Sequence, residues 1–364
     1  MKKILIPLAL LLFHFTATSQ YLAAFNDYLK HFWAFDAGTF TQLEYLEIQE
    51  YQVGGILIAY IDNASNLKIY RNEKVETLMS GNPIKFTATD YLLGYSVYEQ
   101  INVYDNGKTK VLSTQCDGYI VQDSLIAWHN RIDQTIRVYY NGEIITLEDG
   151  LIYNPIKEFK TGDNTIAYVR SSTQEFKVFY LGEVYVLDQF VENMIFEAGR
   201  DIVAYIDVPD QEFKVFYRGE VYNIETFKPK SFHVGDEMMY YVDSMGKLKY
   251  FKNGKVITIS NFEPEFYNVV DYTIVYEEQG FFKTYCNGQV YVVERYIPQS
   301  YKIDYNTIAY LDQSSFVKAF QFCEPITISY EKVAELELIR NLIIYVEGIN
   351  KTMIYFNDKV YEHY

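Results

Sequence analysis

Cysteine is scarce in this chain: Cys116, Cys286 and Cys323 are the only three among 364 residues. A secreted domain stapled by disulfides carries a denser, even set, so stability here has to come from burial. One bridge between Cys286 and Cys323 is conceivable, because they lie in adjacent repeats near equivalent turns. Two ordinary half-buried thiols are the expectation. Histidine is nearly as rare. His31, His129, His233 and His363 stand at no ligand spacing, which argues against a zinc site. Positive charge is short as well, with 32 Lys and Arg against 48 Asp and Glu and a net charge of -16. Nucleic acid and anionic lipid surfaces are therefore poor partners, since both are bound by displacing counterions with cations. There is no Gly-x-Ser-x-Gly elbow to support a nucleophilic serine.

Long apolar runs are also missing, apart from Ile4 to Phe13 near the start. Lys2 and Lys3 precede that run, and Ala17-Thr18-Ser19 supplies small residues before Gln20. This pattern predicts a signal peptide over residues 1–19, too short to span a bilayer, and an exported protein, periplasmic or at the cell surface. No transmembrane segment is expected after cleavage, and residues 20–364 are expected to form one domain.

What the chain has in quantity is aromatic side chains, 37 Tyr and 25 Phe, and a turn that keeps returning. The turn falls at Gly38, Glu73, Gly107, Gly142, Gly182, Gly219, Gly254, Gly288, Cys323 and Asp358, at intervals of 34 to 40 residues. Such a period marks a repeat architecture. Four of these turns read Asn-Gly, at Asn106, Asn141, Asn253 and Asn287. Both central positions can then take positive φ, as a type I′ hairpin requires.

Each repeat holds four short runs of strand composition, here A to D, joined by short links that make antiparallel neighbours. Run B centres on Tyr60, Tyr95, Trp128, Tyr168, Tyr205, Tyr241, Tyr276, Tyr310 and Tyr345. It is apolar on both alternations, as in Ile56 to Ile61, so both of its faces should be covered. Run C alternates more, with Lys214 between Phe213 and Val215. Inner strands buried twice beside exposed outer strands predict an all-β fold, a β-propeller of four-stranded antiparallel meander blades. Nine blades is the central expectation, with eight and ten close to it, because ten hairpins accompany nine run B aromatics. An incompletely closed arc of the same repeats is the alternative. Helical periodicity is confined to a possible short entry from Gln20 to Lys30.

The Ile-Ala-Tyr-Ile-Asp strand from Ile58 to Asp62 and the Phe-Lys-Val-Phe-Tyr-x-Gly strand type ending at Gly219 resemble the strand pair of TolB-type propeller repeats. They are also similar to WD-like meander repeats and to repeats of exported Bacteroidetes-type proteins. The resemblance implies a fold and carries no site.

For function, Asp62-Asn63, Asp207 to Asp210 and Asp243 to Gly246 place oxygen ligands in B–C turns where calcium is conceivable. The same residues build turns without any metal, so no cofactor is expected. The acidic pairs Glu148-Asp149 and Glu277-Glu278 fall in expected turns and read as solvated. No catalytic residue stands out. Trp33, Tyr139, Tyr140, Tyr180 and Tyr217 are the binding candidates, because such rings combine an apolar plane with a polar tip. The reading is an exported, non-enzymatic binding or scaffold propeller that recognises a protein, peptide or glycan at the cell envelope. The alternative is a polysaccharide hydrolase or lyase using acids on one propeller face. The irregular turns Leu181-Gly182, Arg218-Gly219 and Phe322-Cys323 are where a function beyond the repeat should show first.

Overall fold

The computed structural model describes residues 21–81, 84–150, 158–170, 172–191, 193–206 and 211–364. The expected leader, residues 1–19, and the acidic turn from Asp207 to Asp210 lie outside the described residues.

Run B behaves as its composition demands. Ile58–Ile61, Leu125–Asn130, Ile202–Ile206 and Met238–Val242 are buried at every position. In each four-stranded sheet the B strand is flanked by an A and a C strand and is sandwiched face to face by the neighbouring sheets. The outer D strands, such as Lys74–Ser80 and Glu183–Gln189, stay largely exposed. The Asn-Gly turns take the required conformation, with φ of 48° and 79° at Asn106 and Gly107, and 49° and 82° at Asn141 and Gly142.

Ten antiparallel sheets result. Blade 1 has three strands among the described residues, Leu22–Asn26, Phe32–Asp36 and Thr39–Glu44. Nine four-stranded blades follow: blade 2 (50–80), blade 3 (84–113), blade 4 (116–148), blade 5 (160–189), blade 6 (195–225), blade 7 (231–260), blade 8 (267–294), blade 9 (300–329) and blade 10 (336–363). The count is the upper end of the expected range rather than its centre. The N-terminal hairpin builds a sheet of its own by pairing with Leu22–Asn26. That segment is a strand, not the short helix expected over Gln20 to Lys30. Leu22 to Phe25 are all buried, whereas a helix would turn part of them to solvent.

The ring closes, which removes the open arc. Blade 1 packs on blade 10 through a shared core of Ala23, Phe25, Phe35, Leu342, Ile344, Ile354 and Phe356. Phe35 meets Tyr361 with ring centroids 5.2 Å apart, and Phe40 meets His363 at 5.2 Å. No strand is exchanged at this seam among the described residues. On the axis, Tyr51 of blade 2 hydrogen-bonds Glu337 of blade 10, so those two inner strands are neighbours across the blade 1 wedge. Among the described residues nine A strands thus surround the axis while ten blades form the rim.

A second device locks blade to blade, through a Glu at the end of a D strand. Glu44 accepts hydrogen bonds from the Tyr60 hydroxyl at 3.1 Å and from Lys68 Nζ at 2.7 Å in the next blade. Glu225 does the same with Tyr241 (2.9 Å) and Lys249 (2.6 Å), and Glu294 with Tyr310 (3.3 Å) and Lys318 (2.7 Å). In blade 4 this latch is Glu148, with Tyr168 at 2.8 Å and Lys177 at 2.9 Å. Glu148 is therefore buried rather than solvated, while its neighbour Asp149 stays exposed. Glu277 is buried too, accepting the N–H groups of Glu265 and Gly280.

Cys286 and Cys323 are joined, with Cα atoms 5.7 Å apart. This corrects the expectation of two separate thiols. Cys286 ends the C strand of blade 8, and Cys323 occupies the turn of blade 9, so the bridge ties adjacent hairpin tips. Closing a loop 37 residues apart is expected to add about 3–4 kcal/mol of stability. The Cys286→Ser, Cys323→Ser double variant should therefore melt measurably lower in a thermal denaturation, and an unchanged midpoint would show the bridge to be idle.

Candidate functional site

In an antiparallel meander the A–B and C–D turns share one end of the blade, so both sets open on the same face of the ring. Two cavities lie there.

The first sits on the axis, with a volume of about 410 Å³. Its wall is built from the residue five positions before each run B aromatic. In blades 3, 4, 5, 7 and 8 that residue is Asp90, Asp123, Asp163, Asp236 and Asp271. In blades 6, 9 and 10 it is Arg200, Tyr305 and Arg340, with Asp304 one position earlier. Arg200 donates from Nε to Asp163 at 2.6 Å, from Nη2 to Asp123 at 3.2 Å, and from Nη1 to the Tyr272 hydroxyl at 3.3 Å. Asp236 lies 3.4 Å from its Nε. Arg340 pairs with Asp90 of blade 3, reaching across the sector where blade 1 contributes no inner strand among the described residues. The carboxylates also cap backbone: Asp123 accepts the N–H of Asp90 (2.7 Å), and Asp271 accepts that of Tyr305 (2.9 Å).

Narrowness makes this possible. A Cβ on Gly162 would overlap the carbonyl of Gly199, and one on Gly199 would overlap the carbonyl of Gly235. Glycine lets successive inner turns approach until their acids share one guanidinium.

Crowding shows in the titration. Burial foremost, then the charges of Asp163 and Asp90, pushes Asp123 up to about 7. Asp236 is pushed up to about 7, burial outweighing Arg200, and Asp304 to about 6, again chiefly by burial. Burial opposes the charge on Arg200, but Asp163 and Asp236 hold it above the ordinary arginine value. The folded protein thus binds more protons than the unfolded chain between about pH 4 and pH 7, and stability falls as pH rises through that window. Elsewhere Asp62 is held down at about 2, burial being outweighed by hydrogen bonds from Asn66 and Lys68. Its contribution is lost as pH falls below about 4. The melting temperature should therefore be higher near about pH 5 than near pH 8 and drop again in stronger acid. Asp123→Asn should flatten the neutral limb, and a profile rising from pH 5 to 8 would contradict the crowded ring.

The second cavity, about 510 Å³, spans blades 7, 8 and 9 beside the axis. Tyr240, Tyr250, Tyr285 and Phe322 line it, with Lys252, Asn287 and Asn306. Tyr250 lies 4.8 Å from Tyr240 and 5.2 Å from Tyr285 between ring centroids. Tyr272 belongs to this wall, and Tyr305 to the axial one, and the two rings meet edge to face at 5.8 Å. The cavities are thus neighbours along one face.

The sequence candidates explain why this cavity exists. Tyr140, Tyr180 and Tyr217 each end the C strand of blades 4, 5 and 6, directly before the two-residue turn. Each is nearly buried and packs edge-on against the next blade: Tyr140 on Phe179 (5.8 Å), Tyr180 on Phe216 (5.6 Å), Tyr217 on Phe251 (5.8 Å). The equivalent position in blades 7, 8 and 9 is Lys252, Cys286 and Gln321. In these three blades no tyrosine fills the corresponding space, and the cavity lies there. Tyr139 is buried one position earlier, with its hydroxyl on Asp105 at 2.7 Å. Trp33 sits at the blade 1–blade 10 seam, donating to Asp27 at 2.9 Å and lying 4.3 Å from the His363 ring. These five residues are not brought together at one surface.

The calcium loops are engaged in their own turns. Asp62 accepts the N–H groups of Ala64 and Asn66 and pairs with Lys68 at 2.9 Å. Asp243 accepts those of Met245 and Lys247 and pairs with Lys249 at 3.0 Å. Among the described residues, no group of three or more His, Cys, Asp or Glu could hold a metal ion. No helix of the described residues is long and apolar enough to cross a membrane.

Arg200, Arg340 and Asp304 escaped the sequence reading. Their signal was present: Arg200 and Arg340 stand five residues before a run B aromatic, the place that aspartate holds in five other blades.

Among solved structures the chain is similar to the computationally designed Ika8 protein, with 12% identity and a TM-score of 0.35 over 74% of this chain and 95% of that one. It is also similar to Prp20p from Saccharomyces cerevisiae, at 10% identity and a TM-score of 0.32 over 56% of this chain and 72% of that one. The CRINKLY WD40 ectodomain of the Arabidopsis thaliana receptor kinase ACR4 shows 8% identity and a TM-score of 0.32 over 66% of this chain and 94% of that one. No curated protein matches the sequence. The match that covers nearly the whole chain, residues 16–361, is to a family described by the architecture found above, and the protein belongs to it: the 10-bladed beta propeller domain family.

Proposed function

We propose that the protein is an exported, non-enzymatic binding or scaffold propeller, one domain from residue 20 onward, recognising a protein, peptide or glycan at the cell envelope. The observation that carries this reading is the tyrosine-walled cavity of blades 7–9, open beside the axis on one face. Its volume of about 510 Å³ lies within the range of small-ligand sites, and it combines aromatic faces with a few polar groups. In this reading Tyr140, Tyr180 and Tyr217 serve the site by closing the corresponding spaces elsewhere. The charged start of the chain and the Cys286–Cys323 bridge support an oxidising, exported setting. The resemblance to TolB-type repeats agrees with an envelope location.

The raised Asp123 and Asp236 favour one alternative, a polysaccharide hydrolase or lyase acting at the axis. Against it, Arg200 ties Asp123, Asp163 and Asp236 together rather than leaving an acid and a base free. Immobilised protein exposed to an envelope extract should retain a component without consuming any polysaccharide. Turnover abolished by Asp123→Asn would install the enzyme reading instead, and neither retention nor turnover would remove both.

A further inference from the structure

The cavity of blades 7–9 is set apart from blades 4–6 in three respects at once. The position that tyrosine holds in blades 4–6 carries Lys252, Cys286 and Gln321. The turn of blade 9 carries Phe322 and Cys323 where Asn-Gly stands in blades 7 and 8, and both hold positive φ, 52° and 64°. A bulky aromatic in the left-handed region is unfavourable, and Phe322 is also 78% exposed. Fold stability gives no reason for that choice, since Asn would suit the turn better and phenylalanine gains no burial. The disulfide then fixes this turn against blade 8, at the edge of the cavity. An exposed ring held in a costly conformation at the mouth of a cavity points from strain to recognition.

The lining gives the ligand class. Tyr250 and Tyr285 meet at a tilt over the buried Tyr240 and offer faces and edges of rings. Lys252, Asn287 and Asn306 add donors and amide acceptors, and no carboxylate lines this cavity. The lining also carries Met238, Ile308 and Phe320, yet a hydrophobic peptide anchor would leave Lys252, Asn287 and Asn306 unmatched. A sugar presents a C–H face to a ring and hydroxyls to amide and amine groups, which is the mixture found here. Accordingly, we infer that the cavity of blades 7–9 binds the sugar units of a neutral glycan, with Phe322 as the rim platform. The inference rests on the binding reading above and names its ligand.

Restoring the repeat tests it. Lys252→Tyr reinstates the plug of blades 4–6, and Phe322→Asn restores the consensus turn, so both variants should fold. An array of neutral oligosaccharides is probed with the wild type and both variants, and the glycan held best is titrated by calorimetry. Each substitution should weaken binding about tenfold or more, the loss of one aromatic stacking contact or of the space itself. Circular dichroism confirms folding, and Leu181→Asn, a like change at a turn outside the cavity, should leave affinity unaltered. Equal affinity in wild type and variants, or no neutral glycan held by the wild type, would overturn the inference. Should Phe322→Asn instead abolish capture of an envelope protein or peptide, the glycan class fails while the binding reading stands.

Discussion

Replacing Glu148 by alanine should lower the stability of the folded protein by about 3–5 kcal/mol, the cost of stranding a buried ion-pair partner. Glu148 is the most enclosed of the blade-to-blade latches, its side chain only 5% exposed. It receives Lys177 at 2.9 Å, Arg170 at 2.7 Å and the Tyr168 hydroxyl at 2.8 Å. Without it, Lys177 keeps only Glu175, at 3.2 Å, and Tyr168 loses its acceptor at the interface of blades 4 and 5. The carboxylate also holds the Tyr168 hydroxyl far above its ordinary pKa, burial being the larger cause. Glu148→Gln keeps an acceptor and should cost less than alanine. Urea denaturation of the three proteins measures the order. If alanine and glutamine variants unfold together with the wild type, the latch contributes nothing.

Gly199→Val should cost about 3 kcal/mol or more, because the new side chain meets backbone and not a movable side chain. Its Cβ would overlap the carbonyl of Gly235, and Gly162 packs on Gly199 from the other side, so neither neighbour can retreat without widening the axis. Widening would also pull Asp163, Asp236 and Arg200 apart, and the neutral limb of the pH profile should flatten. Gly142→Ala gives the contrast. Nothing lies within 4 Å of that position, but its φ is +82°, so only the local conformational cost of about 1 kcal/mol applies. Equal losses at the two glycines would mean that the close approach of inner turns carries no energy.

The repeat was legible because its physics is local. Asn-Gly needs positive φ, and a strand apolar on both alternations needs two covers, so hairpins and doubly packed blades follow from short windows. The blade number was not local. It depends on whether Leu22–Asn26 pairs with Phe32–Asp36, and a short segment reading Leu-Ala-Ala-Phe is ambiguous between helix and strand until its partners are known. The disulfide was hidden by a two-residue offset, since Cys286 ends a strand and Cys323 sits in a turn. The latches were hidden by context: Glu148 beside Asp149 looks like a solvated pair until the next blade covers one of them.

The cavity was the hardest to foresee, and its clue was an absence. Tyrosines at the ends of run C drew attention in blades 4, 5 and 6, yet the open space lies where that tyrosine is missing. The irregular Phe322-Cys323 turn was the one local sign of it.

We propose that recognition takes place on the face of the A–B and C–D turns, at the cavity of blades 7–9. A photo-crosslinking amino acid placed at position 322, and in separate proteins at 181 and 349, tests this directly in an envelope extract. Ile349 is 90% exposed in a B–C turn on the opposite face, and Leu181 lies on the same face away from the cavity. A discrete adduct is expected from position 322, and background at the other two. An adduct from position 349 with none from 322 would contradict it.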